Sequence, residues 1–217
     1  MVWKGFKDVQ ATVIIDLKNK NEEDLFKQLD RSRRKNINKA KANGLIFNEA
    51  NEKEWLEYYK IHEKVWREGG LNPIKFENLK KANYKLFVVK KEGQVFGGGV
   101  IEIEEDKIKF RAFASLIELQ NMRINDFLYW NNILWALKNG KRYVDLGGYQ
   151  LNAKLGDKLY HVNKFKEMWG GKIKVYPVYS YNPFYILGRK MIRSSRIMKW
   201  VWDRIKLRPL RKKKEYQ

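Results

Sequence analysis

Cysteine is absent from this 217-residue chain, and histidine occurs only at His62 and His161. Without cysteine the chain can form no disulfide framework, thiolate metal site or thiol nucleophile, and such a composition fits a reducing compartment such as the cytoplasm. The two histidines lie far apart in the sequence, so a histidine-based metal cluster is not expected. We therefore predict no metal site and look for chemistry in other residue types.

Long hydrophobic runs are also missing. The longest apolar runs are the size of a strand, well short of the roughly 20 residues that span a bilayer as a helix. The first ten residues, MVWKGFKDVQ, contain no apolar run of the signal-peptide type. We expect a protein of the cytoplasm, either soluble or bound peripherally at the inner face of the cell membrane.

Negative charge is scarce, because 25 Asp and Glu residues face 46 Lys and Arg residues and leave a net charge of +21. A solvated lysine-rich surface is the ordinary explanation of a basic balance, but this excess is large for a chain of one or at most two domains. It indicates a polyanionic partner, either nucleic acid or an anionic membrane surface. The chain is long enough to bury a sizeable core.

The pattern of the remaining residues predicts an α/β (α+β) protein. Residues 11–17 form a β-branched run typical of a strand, and a helix capped by Asn21 is expected to continue to Gly44. Another helix is predicted over 54–67, where His62 shares an aromatic face and is expected to be a packed core residue. Strands at 84–90, 94–104 and 107–115 form an antiparallel meander. The run Gly97–Gly99 inside the second of these strands predicts a bulge.

Residues 141–171, KRYVDLGGYQLNAKLGDKLYHVNKFKEMWGG, are the most informative stretch. A short strand over 142–146 is followed by Gly147-Gly148, a polar loop, a helix from about Asp157 and a further strand over 173–181. Ligands of open α/β sheets gather at the carboxyl ends of strands, where Asp145 and the glycine pair fall. A glycine pair after a strand is also compatible with tight packing alone. On the helix, an apolar stripe is predicted to face the sheet through Leu159, Val162, Phe165, Met168 and Trp169.

A cluster of cations lies between the apolar positions of the first helix. Arg31, Lys39 and Lys41 flank the run Arg33-Arg34-Lys35. A solvated helix face and a phosphate-contacting face are both compatible with this pattern, since guanidinium groups match phosphate oxygens.

The motif "DLGGYQ…FKEMWGG" resembles the signature of the Fem family, the non-ribosomal aminoacyltransferases that build peptidoglycan cross-bridges. The upstream stretch "IIDL…DRSRRKNINKAKANGLIF" resembles the start of the second half of Fem proteins, so the resemblance covers most of residues 12–183. It implies a GNAT-like acyltransferase fold with a mixed antiparallel and parallel sheet flanked by helices. It also implies that the donor is aminoacyl-tRNA and that the acceptor is an amine of a cell-wall precursor.

The resemblance places Lys166 and Phe165 beside the tRNA 3′ end, with the ammonium near the reacting ester and the ring stacked on a base. Core packing is the alternative for Phe165, because it lies on the predicted apolar stripe. Asp145 is the candidate carboxylate, which either orients the amine or only caps the strand end. The candidate substrate-binding residues are Phe165, Gly147, Gly148, Tyr149, Arg33, Arg34 and Lys35. A general base is not identifiable.

The loop before the helix predicted at 122–139 differs from that of acetyl-CoA-dependent GNAT enzymes. In those enzymes a glycine- and arginine-rich loop cradles the pyrophosphate, whereas residues 119–125 read LQNMRIN, without glycine. This difference argues against acetyl-CoA as the donor. We therefore expect no cofactor, with aminoacyl-tRNA as the donor substrate and acyl-CoA as the less favoured one.

Two domains or segments are predicted: a GNAT-like domain over 1–183, and a basic amphipathic helix and tail over 184–217. From Arg189 to the end there are 12 cations and two anions, which suits an anionic membrane surface or RNA phosphates. Fem proteins usually contain two GNAT-like halves, and this chain resembles the second. We therefore expect either a minimal relative or one that works with another copy or a partner that supplies the first half. A GNAT-type N-acyltransferase using acyl-CoA on a small amine, and a non-catalytic RNA- or membrane-binding module, remain alternative functions.

Overall fold

Residues 6–180 and Phe184 are described by the computed structural model of the chain. Their helices and strands are β1 (Phe6–Asp16), α1 (Glu22–Gln28), α2 (Arg31–Ala42), β2 (Ile46–Glu49), α3 (Glu52–Glu68), α4 (Phe76–Leu79), β3 (Tyr84–Lys91), β4 (Gln94–Ile103), β5 (Lys107–Ser115), a 3-10 helix (Ile117–Met122), α5 (Ile124–Lys138), β6 (Tyr143–Tyr149), α6 (Lys158–Glu167) and β7 (Lys172–Ser180). The basic C-terminal helix predicted over 184–217 lies outside the described residues, apart from Phe184.

The strands described form one mixed sheet in the order β2-β3-β4-β5-β6-β1-β7. All neighbouring strands are antiparallel except β5 and β6, which run parallel. The meander β3-β4-β5 is as predicted, and the N-terminal strand β1 lies between the two C-terminal strands β6 and β7. The expected mixed α+β sheet flanked by helices is therefore confirmed.

The two faces of the sheet are buried by different helices. One face, called here the first face, carries Val13 and Ile15 of β1 and Val144 and Leu146 of β6, and it packs against a core that includes Trp130 of α5. The opposite, second face is covered over β3, β4 and β5 by α3, whose buried side chains include Trp55, Tyr58 and Ile61. Burial of these apolar side chains is the main source of stability of such a layered fold.

The second face continues onto β6, β1 and β7, where it carries Ile14 and several polar residues. Alternation along the strands places Ile14 and Asp16 of β1 on it, in register with Asp145 and Tyr143 of β6. Lys172 and Lys174 of β7 lie on the same face, because Lys172 is the cross-strand partner of Ile14 and Lys174 is the cross-strand partner of Thr12. This polar part of the sheet bears the candidate site.

The N-terminal helical region differs from its prediction. The single helix expected from Asn21 to Gly44 is two helices, because Leu29 leaves helical geometry and Asp30 begins a new helix by accepting a hydrogen bond from the Ser32 N–H at 2.7 Å. The break is stabilised from elsewhere in the fold, since the Asp30 N–H donates to the carbonyl of Met168. Strand β2 was not predicted at all.

The glycine run of β4 also differs from its prediction. Gly97, Gly98 and Gly99 pair in continuous register with both neighbours, and the irregular positions lie beside the run. A Cβ at Gly98 would lie 2.7 Å from the Tyr58 ring, and one at Gly99 would lie 2.5 Å from the Phe113 ring. The predicted bulge is therefore wrong as the explanation of the run, because close packing against rings on both faces excludes larger side chains.

His62, predicted to be packed, is fully buried.

Within residues 6–180 and Phe184, no helix is long and apolar enough to span a bilayer.

Candidate active site

The candidate site lies where the parallel strands β5 and β6 separate. They pair only over Lys107–Lys109 and Tyr143–Asp145, and beyond this point β5 continues with β4 while β6 continues with β1. The strand β6 extends to Tyr149, past the predicted end at 146, and Gly147 within it has φ +77°. The opening between the two strands is therefore bordered by the Gly147-Gly148 backbone.

Asp145 is buried and held by two donors. The Gly147 N–H donates to its Oδ1 at 2.8 Å, and the Thr12 hydroxyl of β1 donates to the same oxygen. The Thr12 hydroxyl also lies 2.9 Å from the carbonyl oxygen of Gly147. Because a hydroxyl has one proton, it can donate to only one of these acceptors at a time. Asp145 is thus part of a network that fixes the turn of β6.

Lys166 of α6 reaches the same turn from the first face. Its side chain is 9% exposed, and its ammonium donates to the Gly148 carbonyl at 2.7 Å. Burial lowers the pKa of Lys166 from 10.5 to about 8, and the charge of Asp145 opposes that shift. A lysine with such a pKa changes its protonation state near pH 8, and its ammonium retains donors beyond the one bound to Gly148.

Helix α6 is joined to the end of β6 by polar side chains rather than by the predicted apolar stripe. Asn163 pairs with the backbone N–H and carbonyl of Gln150, at 3.0 and 2.8 Å, and Glu167 accepts from the Tyr149 hydroxyl at 2.6 Å. With Lys166, these residues have the i, i+3, i+4 spacing of one helix face. The stripe prediction is therefore wrong for its first two members, Leu159 and Val162, which are exposed, whereas Trp169 is buried as expected.

Phe165 packs within an aromatic and cationic cluster beside the site. Its ring meets the ring of Tyr129 edge-on at 4.9 Å and that of Trp169 at 5.9 Å. The Arg33 guanidinium lies over it, 5.1 Å from the ring centroid. These contacts agree with core packing, the alternative stated for Phe165, because neighbouring side chains already cover its ring.

Arg33 is bound inside the protein. Its guanidinium forms an ion pair with Asp126 of α5 at 2.7 Å, and the two side chains are 15% and 7% exposed. Burial raises the pKa of Asp126, and the charge of Arg33 and a hydrogen bond from Asn36 oppose this. Such a buried pair is costly to break, since removal of one partner leaves the other charge unpaired.

The other candidates are divided between the site and the surface. Gly147 is buried and Gly148 exposed at the strand opening, and Tyr149 is half-buried with its hydroxyl on Glu167. Arg34 donates to the carbonyl of Lys27 at 2.9 Å, whereas Lys35 is exposed. The fold thus brings together Lys166, Asp145, Gly147, Gly148 and Tyr149, with Phe165 and Arg33 behind them. Of Arg33, Arg34 and Lys35, only Lys35 is exposed.

Thr12, Asn163 and Asp126 are site residues that the sequence did not reveal. Thr12 lies in a β-branched run where threonine is an ordinary strand former, and its partner Asp145 is 133 positions away. Asn163 lies between apolar positions that suggested a packed helix face. An acidic residue in the first turn of a helix, as Asp126 is in α5, has an ordinary explanation in the helix dipole.

The start of α5 does not have the character of a pyrophosphate-binding site. Arg123 precedes the helix in a left-handed conformation and makes no side-chain cap, and Asp126 in the first turn brings a carboxylate. An anion at this helix terminus would therefore face a buried carboxylate already bound to Arg33. Across the part of the chain that the structure describes, no group of three His, Asp or Glu residues could hold a metal ion.

Solved structures share this fold over most of the chain. FemX matches with a TM-score of 0.69, 13% sequence identity and 82% of this chain covered. The C-terminal domain of a putative lysylphosphatidylglycerol synthetase from Agrobacterium fabrum matches with a TM-score of 0.64, 12% identity and 87% coverage. L-PGS from Bacillus licheniformis matches with a TM-score of 0.63, 18% identity and 88% coverage.

These likenesses confirm the predicted fold, which the chain shares with FemX. The chain spans 63%, 65% and 67% of the three matched chains, so it corresponds to about two thirds of each. No protein-family model and no curated protein matches the sequence. At such identities the likeness establishes the fold alone.

Proposed function

We propose that the protein is an acyltransferase that moves an aminoacyl group from aminoacyl-tRNA to an amine of a peptidoglycan precursor. The observation that carries the proposal is the buried Lys166 ammonium at the Gly148 carbonyl, with Asp145 on the other side of the same turn. A buried ionisable group with a perturbed pKa at the opening of a sheet is typical of a reacting centre.

The reaction requires positioning and charge stabilisation rather than a nucleophilic side chain. The acceptor nitrogen attacks the ester carbonyl carbon, the carbon–oxygen bond to the ribose breaks, and the proton lost by the amine ends on the ribose oxygen. In its protonated form Lys166 can donate to the developing oxyanion from a desolvated position, where such a contact is strongest. Asp145, held by Thr12 and Gly147, orients the backbone of this turn and attracts the acceptor ammonium before it loses its proton.

An aminoacyl-tRNA donor suits the start of α5 better than acyl-CoA does. A pyrophosphate needs free backbone N–H groups and positive potential at a helix terminus. Here Asp126 supplies negative charge to the first turn, and no glycine allows a close backbone approach in the preceding 3-10 helix. The ester of aminoacyl-tRNA is already activated and needs only to reach the opening, while basic residues such as Lys35 contact the RNA.

The acceptor has a second candidate, because a matched structure with a TM-score of 0.64, close to the 0.69 of FemX, is the C-terminal domain of a putative lysylphosphatidylglycerol synthetase. In that case a hydroxyl of the phosphatidylglycerol headgroup would take the place of the amine. Both acceptors belong to the cell envelope, and the basic sequence after Phe184 would then serve an anionic membrane surface.

The test is binding of the purified chain to aminoacylated and deacylated tRNA over a salt series. Phosphate contacts alone bind both forms equally and weaken steeply with salt. We expect a preference for the aminoacylated form that is lost in Lys166→Ala and kept in Lys164→Ala, a matched change at an exposed lysine of the same helix. Equal binding together with thermal stabilisation by acyl-CoA would contradict the proposal and favour an acyl-CoA-dependent enzyme. Equal binding without stabilisation would favour a non-catalytic RNA- or membrane-binding module.

A further inference from the structure

Helix α6 covers only part of the sheet that it crosses. Strands β6 and β7 lie on either side of β1 and are both antiparallel to it, so α6, which joins them, crosses β1 on the first face. The 10 residues of α6 extend about 15 Å, whereas the 9 residues of β7 extend about 30 Å. The second half of β7 and the paired first half of β1 therefore continue beyond the helix.

The uncovered part of β7 is apolar. Val13 belongs to the core on the first face and pairs with Ile173 of β7. Since side chains alternate along a strand, Val175, Pro177 and Tyr179 lie on this face as well. All three are exposed, and the exposed fractions of Val175 and Tyr179 are 53% and 47%. Single exposed apolar residues are ordinary, but three in a row on one face indicate a contact surface.

The first turns of α6 add two apolar side chains to this surface. Leu159 lies four positions before the buried Asn163, and Val162 stands in the same relation to Lys166, so both lie on the inward side of the helix. They are nevertheless 40% and 38% exposed. Because α6 and β7 run in opposite directions, the start of α6 lies toward the second half of β7. The open corner, as we call this surface, consists of Leu159, Val162, Val175, Pro177 and Tyr179.

The chain that leaves β7 carries a matching apolar stripe. Phe184 is exposed, and its backbone is already helical. Asn182-Pro183, just before it, is a pair that favours a turn, so a helix after it can double back over the sheet. Continued at about 3.6 residues per turn, this helix would carry on one narrow face Phe184, Leu187, Met191, Met198, Trp202 and Ile205. The opposite side would carry Arg189, Arg193 and Arg196.

We propose that residues 184–205 form a helix, the tail helix, whose apolar stripe packs into the open corner of the same chain. The tether favours this occupant, because only residues 181–183 separate the end of β7 from Phe184 and hold the stripe beside the corner at a high effective concentration. A helix over 184–205 would be about 33 Å long, enough to cover the roughly 15 Å of β7 beyond α6. The docked tail helix turns its arginines outward. This inference does not depend on the proposed transferase function.

The absence of cysteine makes disulfide cross-linking of the full chain a clean test. Val162→Cys provides a thiol in the open corner. The second cysteine replaces a stripe residue in one set of variants, Leu187→Cys, Met191→Cys or Met198→Cys. In the matched control set it replaces a cation of the opposite side, Arg189→Cys, Arg193→Cys or Arg196→Cys. A disulfide requires Cα atoms within about 7 Å, so we expect at least one stripe position to cross-link within the chain roughly tenfold faster than any control position.

Amide hydrogen exchange of the cysteine-free chain gives an independent measurement. Val162→Lys/Val175→Lys places two charges in the open corner, where the docked tail helix would bury them. We expect amides of residues 187–205 to exchange roughly tenfold faster in this variant than in the unchanged protein. Leu56→Lys/Leu71→Lys, the same change at apolar residues that are 56% and 53% exposed elsewhere, should leave their exchange unaltered. Slow exchange in β3, β4 and β5 verifies that both variants remain folded.

Each outcome supports or overturns the docking. Absence of a disulfide at every stripe position, or equal rates at the stripe and control positions, overturns it. A disulfide that forms only between two chains shows that the tail helix packs on a second copy, which also overturns it. Exchange of residues 187–205 that is unaffected by the corner variant, or that slows only when anionic vesicles or RNA are added, assigns the stripe to another partner and contradicts the proposal.

Discussion

Replacement of Lys166 by methionine should stabilise the protein while it abolishes acyl transfer. Methionine has a similar length and no charge to bury, whereas the folded protein lowers the pKa of Lys166 from 10.5 to about 8. At about 1.4 kcal/mol per pH unit, this difference makes the buried ammonium cost about 3 kcal/mol of folding free energy. The lost hydrogen bond to Gly148 offsets little of the gain, because Gly148 is exposed and water can bind its carbonyl.

The pH dependence of stability identifies this cost. Below pH 8 the lysine is protonated in both the folded and the unfolded state, so the folded protein bears the full cost of the ammonium. Between about pH 8 and 10.5 the unfolded state binds more protons than the folded one, and the stability contributed at this position rises with pH. In urea unfolding, the advantage of Lys166→Met should therefore be largest at pH 7 and shrink as the pH rises above 8.

Lys164→Met is the control, because Lys164 is exposed on the same helix and pairs with Glu167 at 2.7 Å. Its stability should change by less than about 1 kcal/mol, as expected for a surface ion pair. If Lys166→Met unfolds at lower urea than the unchanged protein at pH 7, or if its advantage does not depend on pH, the reasoning about a strained buried ammonium is refuted.

Three further substitutions, each compared with a control variant, test the surroundings of the site by chemical denaturation. Gly147→Ala should cost at least roughly 1–2 kcal/mol of folding free energy, because the backbone is left-handed and the added Cβ would lie 3.2 Å from the Phe110 carbonyl oxygen. Gly148→Ala should be nearly neutral, because open space surrounds that position. Equal effects of the two changes would contradict the turn geometry. Thr12→Val should cost about 1–3 kcal/mol and Thr12→Ser much less, unless the hydroxyl is dispensable to Asp145. Arg33→Ala should cost about 3–5 kcal/mol by leaving Asp126 unpaired, and a similar cost in Lys35→Ala would argue against a buried pair.

The sequence predicted those parts of the fold that depend on local pattern. Alternating strands and short turns revealed the meander β3-β4-β5, and Asn21 marked the start of α1. The Fem-like motif placed Lys166 and Asp145 near one turn. Lys166 and Asp145 lie close together in the structure because a strand, a loop and a helix follow one another in that stretch. This order of elements can be predicted from a single sequence.

What the sequence did not show depends on long-range contacts. The break between α1 and α2 is fixed partly by the Met168 carbonyl, far along the chain. The inward face of α6 is polar because its partners are the backbone and side chains at the end of β6, so hydrophobic periodicity selected the wrong face at Leu159 and Val162. Likewise, Arg33 belonged to a run of cations in sequence, and only packing against α5 shows that it is bound to Asp126.

The most direct test of the proposed acyl-transfer site is to measure transfer of a radiolabelled amino acid from aminoacyl-tRNA to an acceptor, with the unchanged protein and with Lys166→Met. The acceptors supplied are a nucleotide-linked muropeptide and phosphatidylglycerol vesicles. The account predicts labelled product from at least one acceptor, and its loss in a Lys166→Met protein that remains folded and binds tRNA. Product formation that is unaffected by this substitution would contradict the assignment of Lys166 and of the turn at Gly147-Gly148 as the reacting centre.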